Sequence, residues 1–156
     1  GPHLLAPTGS DLTKYGKGTI FAGYHYDLNY ITIHGRSRFP GLSVWLRDGT
    51  KSSVAVPDGG LLLQSGIQME YLTGGYIKAG FHEVTYTDKT EEAFQKAVQD
   101  GKSTWRVSST LFNHVRSNVT LEPLGDFKNQ PEAHKYQPIL AEDQVMEEIK
   151  AINLAH

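Results

Sequence analysis

The chain has 156 residues, a formal net charge of −2 and no cysteine. This length allows one domain with its own core, the small net charge offers no broad field for nucleic acid or anionic lipid, and disulfides and thiolate metal sites are excluded. Because no apolar run approaches a membrane span and no signal peptide is recognisable, we expect a cytoplasmic protein that binds neither membrane nor nucleic acid.

Short apolar or alternating runs separated by turn residues follow one another along most of the chain. They are "TIFAGYHY" (19–26), "NYITIHG" (29–35), "GLSVWL" (41–46), "SSVAVP" (52–57), "LLLQSG" (61–66), "YIKAGFHEVTYT" (76–87) and "WRVSSTLFNHV" (105–115). Strands at this spacing indicate an antiparallel sandwich or barrel. Gly74-Gly75 predicts a two-residue hairpin between "MEYLT" and "YIKAG", because a type I′ turn needs positive φ at both central positions.

Two segments have the pattern of helices. Thr90 is a candidate N-cap for a helix over about 91–100, which carries an apolar stripe and can end at Gly101. The segment "LAEDQVMEEIKAINLA" (140–155) repeats its apolar residues at helical spacing. The three prolines of residues 123–138 predict an irregular tail that leads into this last helix.

A histidine and an aspartate lie two positions apart in the first strand. His25 and Asp27 would share one strand face, and His82 in "GFHEV" could complete a two-histidine, one-carboxylate set of the kind that binds Fe(II). Seven histidines and 17 acidic residues give roughly 0.8 chance occurrences of this spacing, so the motif alone is weak. A half-exposed polar pair on an edge strand is the alternative.

An arginine and a serine have the same spacing later in the chain. Arg106 and Ser108 would also share a strand face, where a guanidinium can bind a carboxylate through two hydrogen bonds. The alternative is an exposed strand arginine beside Trp105. His34 ends the predicted strand "ITIHG", and because Arg36 and Arg38 follow in a turn, we expect it to belong to a solvated loop.

The order of these motifs within their flanks resembles a known family. His25-Tyr26-Asp27, then His82, then Arg106-Val107-Ser108 stand among "GLSVWLRDGT", "LLLQSGIQMEYLTGGYIKAGFHEV" and "RVSSTLFNHVRSNVTLEPL". This arrangement resembles the isopenicillin N synthase-like family of Fe(II)- and 2-oxoglutarate-dependent oxygenases over nearly the whole chain. The resemblance implies the family's C-terminal catalytic portion: a mainly β, double-stranded β-helix (jelly-roll) with a helical insertion and a C-terminal helix. We expect the jelly-roll over 1–125, with the insertion at about 90–100, and the tail and last helix over 126–156.

The resemblance also implies a site and a reaction. His25, Asp27 and His82 would hold Fe(II), and Arg106 and Ser108 would bind the distal carboxylate of the cosubstrate 2-oxoglutarate. Oxidative decarboxylation of 2-oxoglutarate to succinate would accompany hydroxylation or desaturation of a small-molecule substrate by O2. A further N-terminal region of the same protein is an expected partner.

Two alternative functions stay open, and the sequence departs from the family's usual pattern at two places. The alternatives are an iron oxidase of the same fold that uses no 2-oxoglutarate, and a non-catalytic jelly-roll that binds a metal or ligand. The gap between His82 and Arg106 is longer than in many family members, and the predicted helix fills it. Ala6 and Thr8 stand near the place of a cosubstrate-contacting tyrosine in the family.

Overall fold

The computed structural model describes residues 3–154. Within them the chain forms ten strands and three α-helices, joined by loops and short 3-10 turns. The strands are β1 (Leu4–Asp11), β2 (Ile20–His25), β3 (Ile31–Gly35), β4 (Leu42–Trp45), β5 (Lys51–Ser53), β6 (Leu61–Ser65), β7 (His82–Thr85), β8 (Trp105–Asn113), β9 (Thr120–Leu121) and β10 (Ile139–Leu140). The helices are α1 (Ile67–Leu72), α2 (Asp88–Gln99) and α3 (Ala141–Leu154). The predicted domain limits at 1 and 156 lie outside the described residues.

Two four-stranded antiparallel sheets form the body of the fold. The first sheet has the order β1-β8-β3-β6 and the second the order β2-β7-β4-β5. Successive strands alternate between the sheets, apart from the β4–β5 hairpin, so each turn of the chain crosses from one sheet to the other. This is the double-stranded β-helix, and the predicted fold class is confirmed.

The first sheet has a polar inner face and an apolar outer face. Side chains of alternate residues on β1, β3 and β8 face the second sheet, and these are Thr8, His34, Arg106, Ser108 and Thr110. The opposite face carries a cross-strand row of aliphatic residues, Leu5, Leu111, Ile33 and Leu63. Leu5 and Leu63 are 61% and 60% exposed, so this row meets solvent.

The main apolar cluster lies at the α2 end of the molecule. Leu12, Phe39, Tyr86 and Ala97 are buried together, and Ala93 and Phe94 pack against them. The helix begins earlier than predicted: the side chain of Thr87 caps it, and Thr90 occupies the third position of a capping box. Its end at Gly101 is as predicted, since that glycine has a φ of +62°.

The Gly74-Gly75 hairpin prediction is wrong. Both glycines have positive φ, 53° and 81°, but the segment before them is helix α1 rather than a strand. The Gly75 N–H donates to the carbonyl of Glu70 at 2.9 Å, so the pair ends the helix. Of the predicted strand over 76–87, only β7 forms.

The C-terminal segment packs on the jelly-roll through polar contacts. Residues 125–129 and 133–135 form short 3-10 turns before β10 pairs with β9. The hydroxyl of Tyr26, the residue after β2, donates to Glu148 of α3 at 3.0 Å. The buried side-chain amide of Gln68 donates to that of Gln144 at 3.2 Å. None of the helices within residues 3–154 combines the length and apolarity that crossing a membrane requires. The division at residue 125 stays a prediction.

Candidate metal centre

The two histidines of the predicted triad are cross-strand partners. His25 ends β2 and stands opposite His82, the first residue of β7. Directly opposed residues of an antiparallel pair bring their side chains close together, and the two imidazole centroids are 4.2 Å apart. His82 is 4% exposed, whereas the side chain of His25 is 44% exposed, so one ring is enclosed and the other borders solvent.

Asp27 lies in the loop just beyond β2 rather than inside the strand. Its carbonyl accepts a hydrogen bond from the N–H of Ile67 at 2.9 Å, which ties the loop to the start of α1. Gly66 makes this approach possible, because a Cβ there would collide with the backbone carbonyl of Asn29. The loop thereby carries the Asp27 side chain into the interior, where it is 5% exposed.

The two oxygens of Asp27 have different surroundings. Oδ2 accepts a hydrogen bond from the Thr32 hydroxyl at 2.6 Å, and the Asn29 amide donates to the same hydroxyl oxygen at 3.1 Å. Oδ1 faces the histidines, 3.7 Å from Nε2 of His25 and 3.8 Å from Nε2 of His82. Oδ2 therefore holds the carboxylate in place through its hydrogen bond, and Oδ1 is available as a metal ligand.

The histidines also present one nitrogen each. Nδ1 of His25 is 2.5 Å from the carbonyl of Gly23, and Nδ1 of His82 is 3.2 Å from that of Gly80. A carbonyl oxygen only accepts hydrogen bonds, so each of these contacts needs a proton on Nδ1. In a neutral ring, Nε2 then has a free lone pair. Burial lowers the pKa of His82, which favours the neutral ring that binds metals.

Within the described residues, His25, Asp27 and His82 are the one cluster of three such side chains that could hold a metal ion. Their ligand atoms all lie within 4.8 Å of one another. Two imidazoles and a carboxylate suit Fe(II) and leave coordination positions open. The donor set and the hydrogen bonds behind it fit the metal that the sequence predicts.

Arg106 and Ser108 face the same cavity, which has a volume of about 400 Å³ between the sheets. Arg106 is 9% exposed, its Nε is buried without a hydrogen-bond partner, and burial lowers its pKa. The Ser108 hydroxyl is 2.8 Å from that of Thr8, its register partner on β1. The position associated with the family's tyrosine thus holds a short hydroxyl beside Ser108.

The structure places two further polar side chains at the site that the sequence interpretation missed. The prediction of a solvated loop at His34 is wrong, because this residue lies in β3, lines the cavity and is half-buried. Gln64 on β6 is 7% exposed and contacts the His82 ring. Alternation in β3 and β6 showed that His34 and Gln64 point away from the aliphatic residues, but it did not show that this polar face is the inner one.

A family model and several solved structures match the chain. The model of the 2OG-Fe(II) oxygenase superfamily matches residues 10–115. A full-length Neurospora crassa protein solved in complex with alpha-KG is 18% identical with a TM-score of 0.72, over 96% of this chain and 44% of that one. The rice dioxygenase for auxin oxidation is 15% identical with a TM-score of 0.75, over 96% and 47%.

The Arabidopsis thaliana dioxygenase for auxin oxidation 1, solved as a 2-oxoglutarate complex, is 19% identical with a TM-score of 0.59, over 75% of this chain and 39% of that one. No curated protein sequence matches the chain significantly. At these identities the likeness to solved structures shows the fold. The chain spans less than half the length of each of these three solved chains.

Proposed function

We propose that this chain, which belongs to the 2OG-Fe(II) oxygenase superfamily, is the catalytic portion of an Fe(II)- and 2-oxoglutarate-dependent dioxygenase. His25, Asp27 and His82 would hold the iron. The observation that carries the proposal is the convergence of their ligand atoms within 4.8 Å, with a hydrogen-bond partner behind each donor.

The protein's part at the metal is to present three donors and leave the opposite side open. Thr32 fixes the carboxylate of Asp27, and the carbonyls of Gly23 and Gly80 orient the two rings. Such supporting contacts set the direction and basicity of metal ligands. When bound, Fe(II) would supply the activation of O2 that couples oxidation of a substrate to decarboxylation of 2-oxoglutarate to succinate.

Arg106 and Ser108 would bind the distal carboxylate of 2-oxoglutarate. Among the described residues, no carboxylate forms an ion pair with Arg106, so its buried guanidinium can accept an anionic partner. Ser108 and Thr8 can add hydroxyl donors beside it. The unpaired arginine suits a carboxylate ligand, and the neighbours solved with alpha-KG and 2-oxoglutarate support the cosubstrate in that role.

The substrate would be a small organic molecule, hydroxylated or desaturated next to the metal. A cavity of about 400 Å³ lies in the range of small-molecule sites. The rice neighbour is a dioxygenase for auxin oxidation, and a further structure of the Neurospora crassa protein contains thymine, which supports the same class of substrate here.

Calorimetry with Mn(II) and N-oxalylglycine, an unreactive analogue of 2-oxoglutarate, tests the proposal. We expect Mn(II) to bind to the wild-type chain and N-oxalylglycine to bind only when Mn(II) is present. Metal binding without analogue binding would support the non-catalytic jelly-roll, and no metal binding would contradict the proposed centre. O2 consumption that is independent of 2-oxoglutarate would identify the alternative oxidase.

A further inference from the structure

Two polar side chains of the first sheet, His34 and Gln64, lie beside the candidate ligand His82. We propose that Gln64 positions His82 for metal binding and that His34 in turn holds Gln64, so that the three form one hydrogen-bonded chain. This inference rests on the proposed function, because His82 is a ligand only if the metal centre exists.

The amide of Gln64 lies directly against the ring of His82. Its Nε2 is within hydrogen-bonding distance of Nδ1 of His82 and donates to the carbonyl of Gly80 at 2.6 Å. The fit is close, since a Cβ at position 80 would lie 3.0 Å from Cγ of Gln64 and the amide would have to shift. A buried amide placed here decides which hydrogen bond Nδ1 can make.

Two buried polar atoms beside this contact have no hydrogen-bond partner. They are Oε1 of Gln64 and Nε2 of His34. His34 and Gln64 are diagonal neighbours on β3 and β6, since Thr32 is the direct partner of Gln64, and a diagonal pair is within reach of long side chains. The ring centroids of His34 and His82 are 6.0 Å apart. Buried polar groups without partners are uncommon and call for an explanation.

One rotation of the amide gives each of these atoms a partner, and it replaces the donation from the amide to the Gly80 carbonyl, which is left with its contact to Nδ1 of His82. A metal on Nε2 of His82 leaves the proton on Nδ1, which then needs an acceptor. Turning the Gln64 amide by 180° exchanges oxygen and nitrogen with almost no change of shape. Oε1 would then accept from Nδ1 of His82, sharing that proton with the Gly80 carbonyl, and the amide nitrogen would donate to Nε2 of His34.

The chain of contacts therefore has a direction. His34 accepts from the amide nitrogen of Gln64 and thereby holds the amide oxygen toward His82. That oxygen keeps the proton on Nδ1 and directs the Nε2 lone pair at the metal. Gln64 and His34 touch neither metal nor substrate, so they are positioning residues.

Metal affinity of substituted chains tests the inference. We expect Gln64→Leu to weaken Mn(II) binding about 10- to 100-fold, the usual effect of removing a partner of a metal-bound histidine. Gln64→Glu, which keeps an acceptor for Nδ1–H, should bind Mn(II) more tightly than Gln64→Leu does. His34→Leu should weaken binding less than Gln64→Leu does, because it leaves the direct contact intact.

Gln144→Leu is the matched control, since Gln144 is 2% exposed and its side chain bonds Gln68 and none of the three candidate ligands. It should bind Mn(II) as the wild type does. Circular dichroism melting of each chain without metal shows that the variants compared are folded. Nitrogen-15 shifts of the histidine rings in the Zn(II)-loaded protein should show Nδ1 of His82 protonated in the wild type and altered in Gln64→Leu.

The possible results distinguish the proposed metal centre from the positioning role of Gln64. Failure of the wild type to bind Mn(II) would refute the proposed function. Wild-type binding together with undiminished affinity of Gln64→Leu would overturn only the positioning role. The role would also be overturned if folded Gln64→Glu bound Mn(II) no better than Gln64→Leu, since a contact that matters only for packing would not respond to the acceptor.

Discussion

The interior contains two clusters of opposite character. In the metal centre, His25 and His82 are held by hydrogen bonds to backbone carbonyls, and Asp27 is held by one from Thr32. In the other cluster, Leu12, Phe39, Tyr86 and Ala97 pack as an apolar group, and Phe39 also lines the cavity at the metal centre. Burying apolar surface stabilises a fold, whereas burying polar groups costs free energy unless every partner is present. The apolar cluster therefore contributes stability, and the polar cluster is retained for what it can bind.

The largest effect should follow removal of the buried carboxylate. Asp27→Ala should lower Mn(II) affinity about 10³-fold, since one of three donors is lost. The melting temperature without metal should stay the same or rise, because an enclosed charge is gone. Calorimetry and circular dichroism measure the two quantities, and exposed Asp88→Ala is the control. Unchanged Mn(II) affinity of Asp27→Ala would refute the metal centre.

A truncation in the apolar cluster should lower stability and leave Mn(II) affinity unchanged. Leu12 is 1% exposed, so Leu12→Ala should lower the free energy of unfolding by about 2–5 kcal/mol. The molecules that remain folded should bind Mn(II) with wild-type affinity. Urea unfolding and calorimetry provide the comparison. A loss of affinity as large as that of Asp27→Ala would show that the two clusters are not independent.

The inner-face arginine should affect cosubstrate binding alone. Arg106→Leu should weaken N-oxalylglycine binding about 10- to 100-fold, the value of a charge-assisted hydrogen bond, while Mn(II) affinity is unchanged. Arg116→Leu, at an exposed position, is the matched control. If the analogue bound equally well to both variants, the carboxylate would have to bind elsewhere.

Removal of the Tyr26 hydroxyl tests the hydrogen bond that connects the end of β2 to α3. Tyr26→Phe should lower the free energy of unfolding by about 1 kcal/mol, the value of one hydrogen bond. Burial, followed by the contact with Glu148, raises the pKa of Tyr26 from 10 to about 12. The stabilisation should therefore be constant below pH 10 and disappear as the pH rises toward 12. A wild-type advantage that persisted above that range would contradict this assignment.

The smallest effect is expected on the outer face of the first sheet. Leu63→Ala makes the same chemical change as Leu12→Ala, but Leu63 is 60% exposed. We expect the free energy of unfolding to change by less than about 0.5 kcal/mol, with no change in Mn(II) affinity. A cost comparable to that of Leu12→Ala would mean that this face is covered in solution.

The success of the sequence interpretation followed the strength of each local pattern. Alternation along the strands, together with the family resemblance, was enough for the jelly-roll and for candidate ligands that the fold brings together. His34 was misjudged because the Gly-Arg sequence after it has the appearance of a turn, although the strand extends through Gly35. Gly74 and Gly75 both have the positive φ that a hairpin turn needs, and only the folding of the preceding residues as α1 decides otherwise. Gln64 could not be recognised as a neighbour of His82 because their contact depends on how β6 and β7, in different sheets, face each other.

The aliphatic row across β1, β8, β3 and β6 has a practical consequence. Fluorescent dyes that report exposed apolar surface are commonly used to detect partial unfolding, and a contiguous apolar patch on a native protein can bind them as well. This chain should therefore give a dye signal while fully folded, and Leu5→Ser together with Leu63→Ser should reduce that signal without changing the near-ultraviolet circular dichroism.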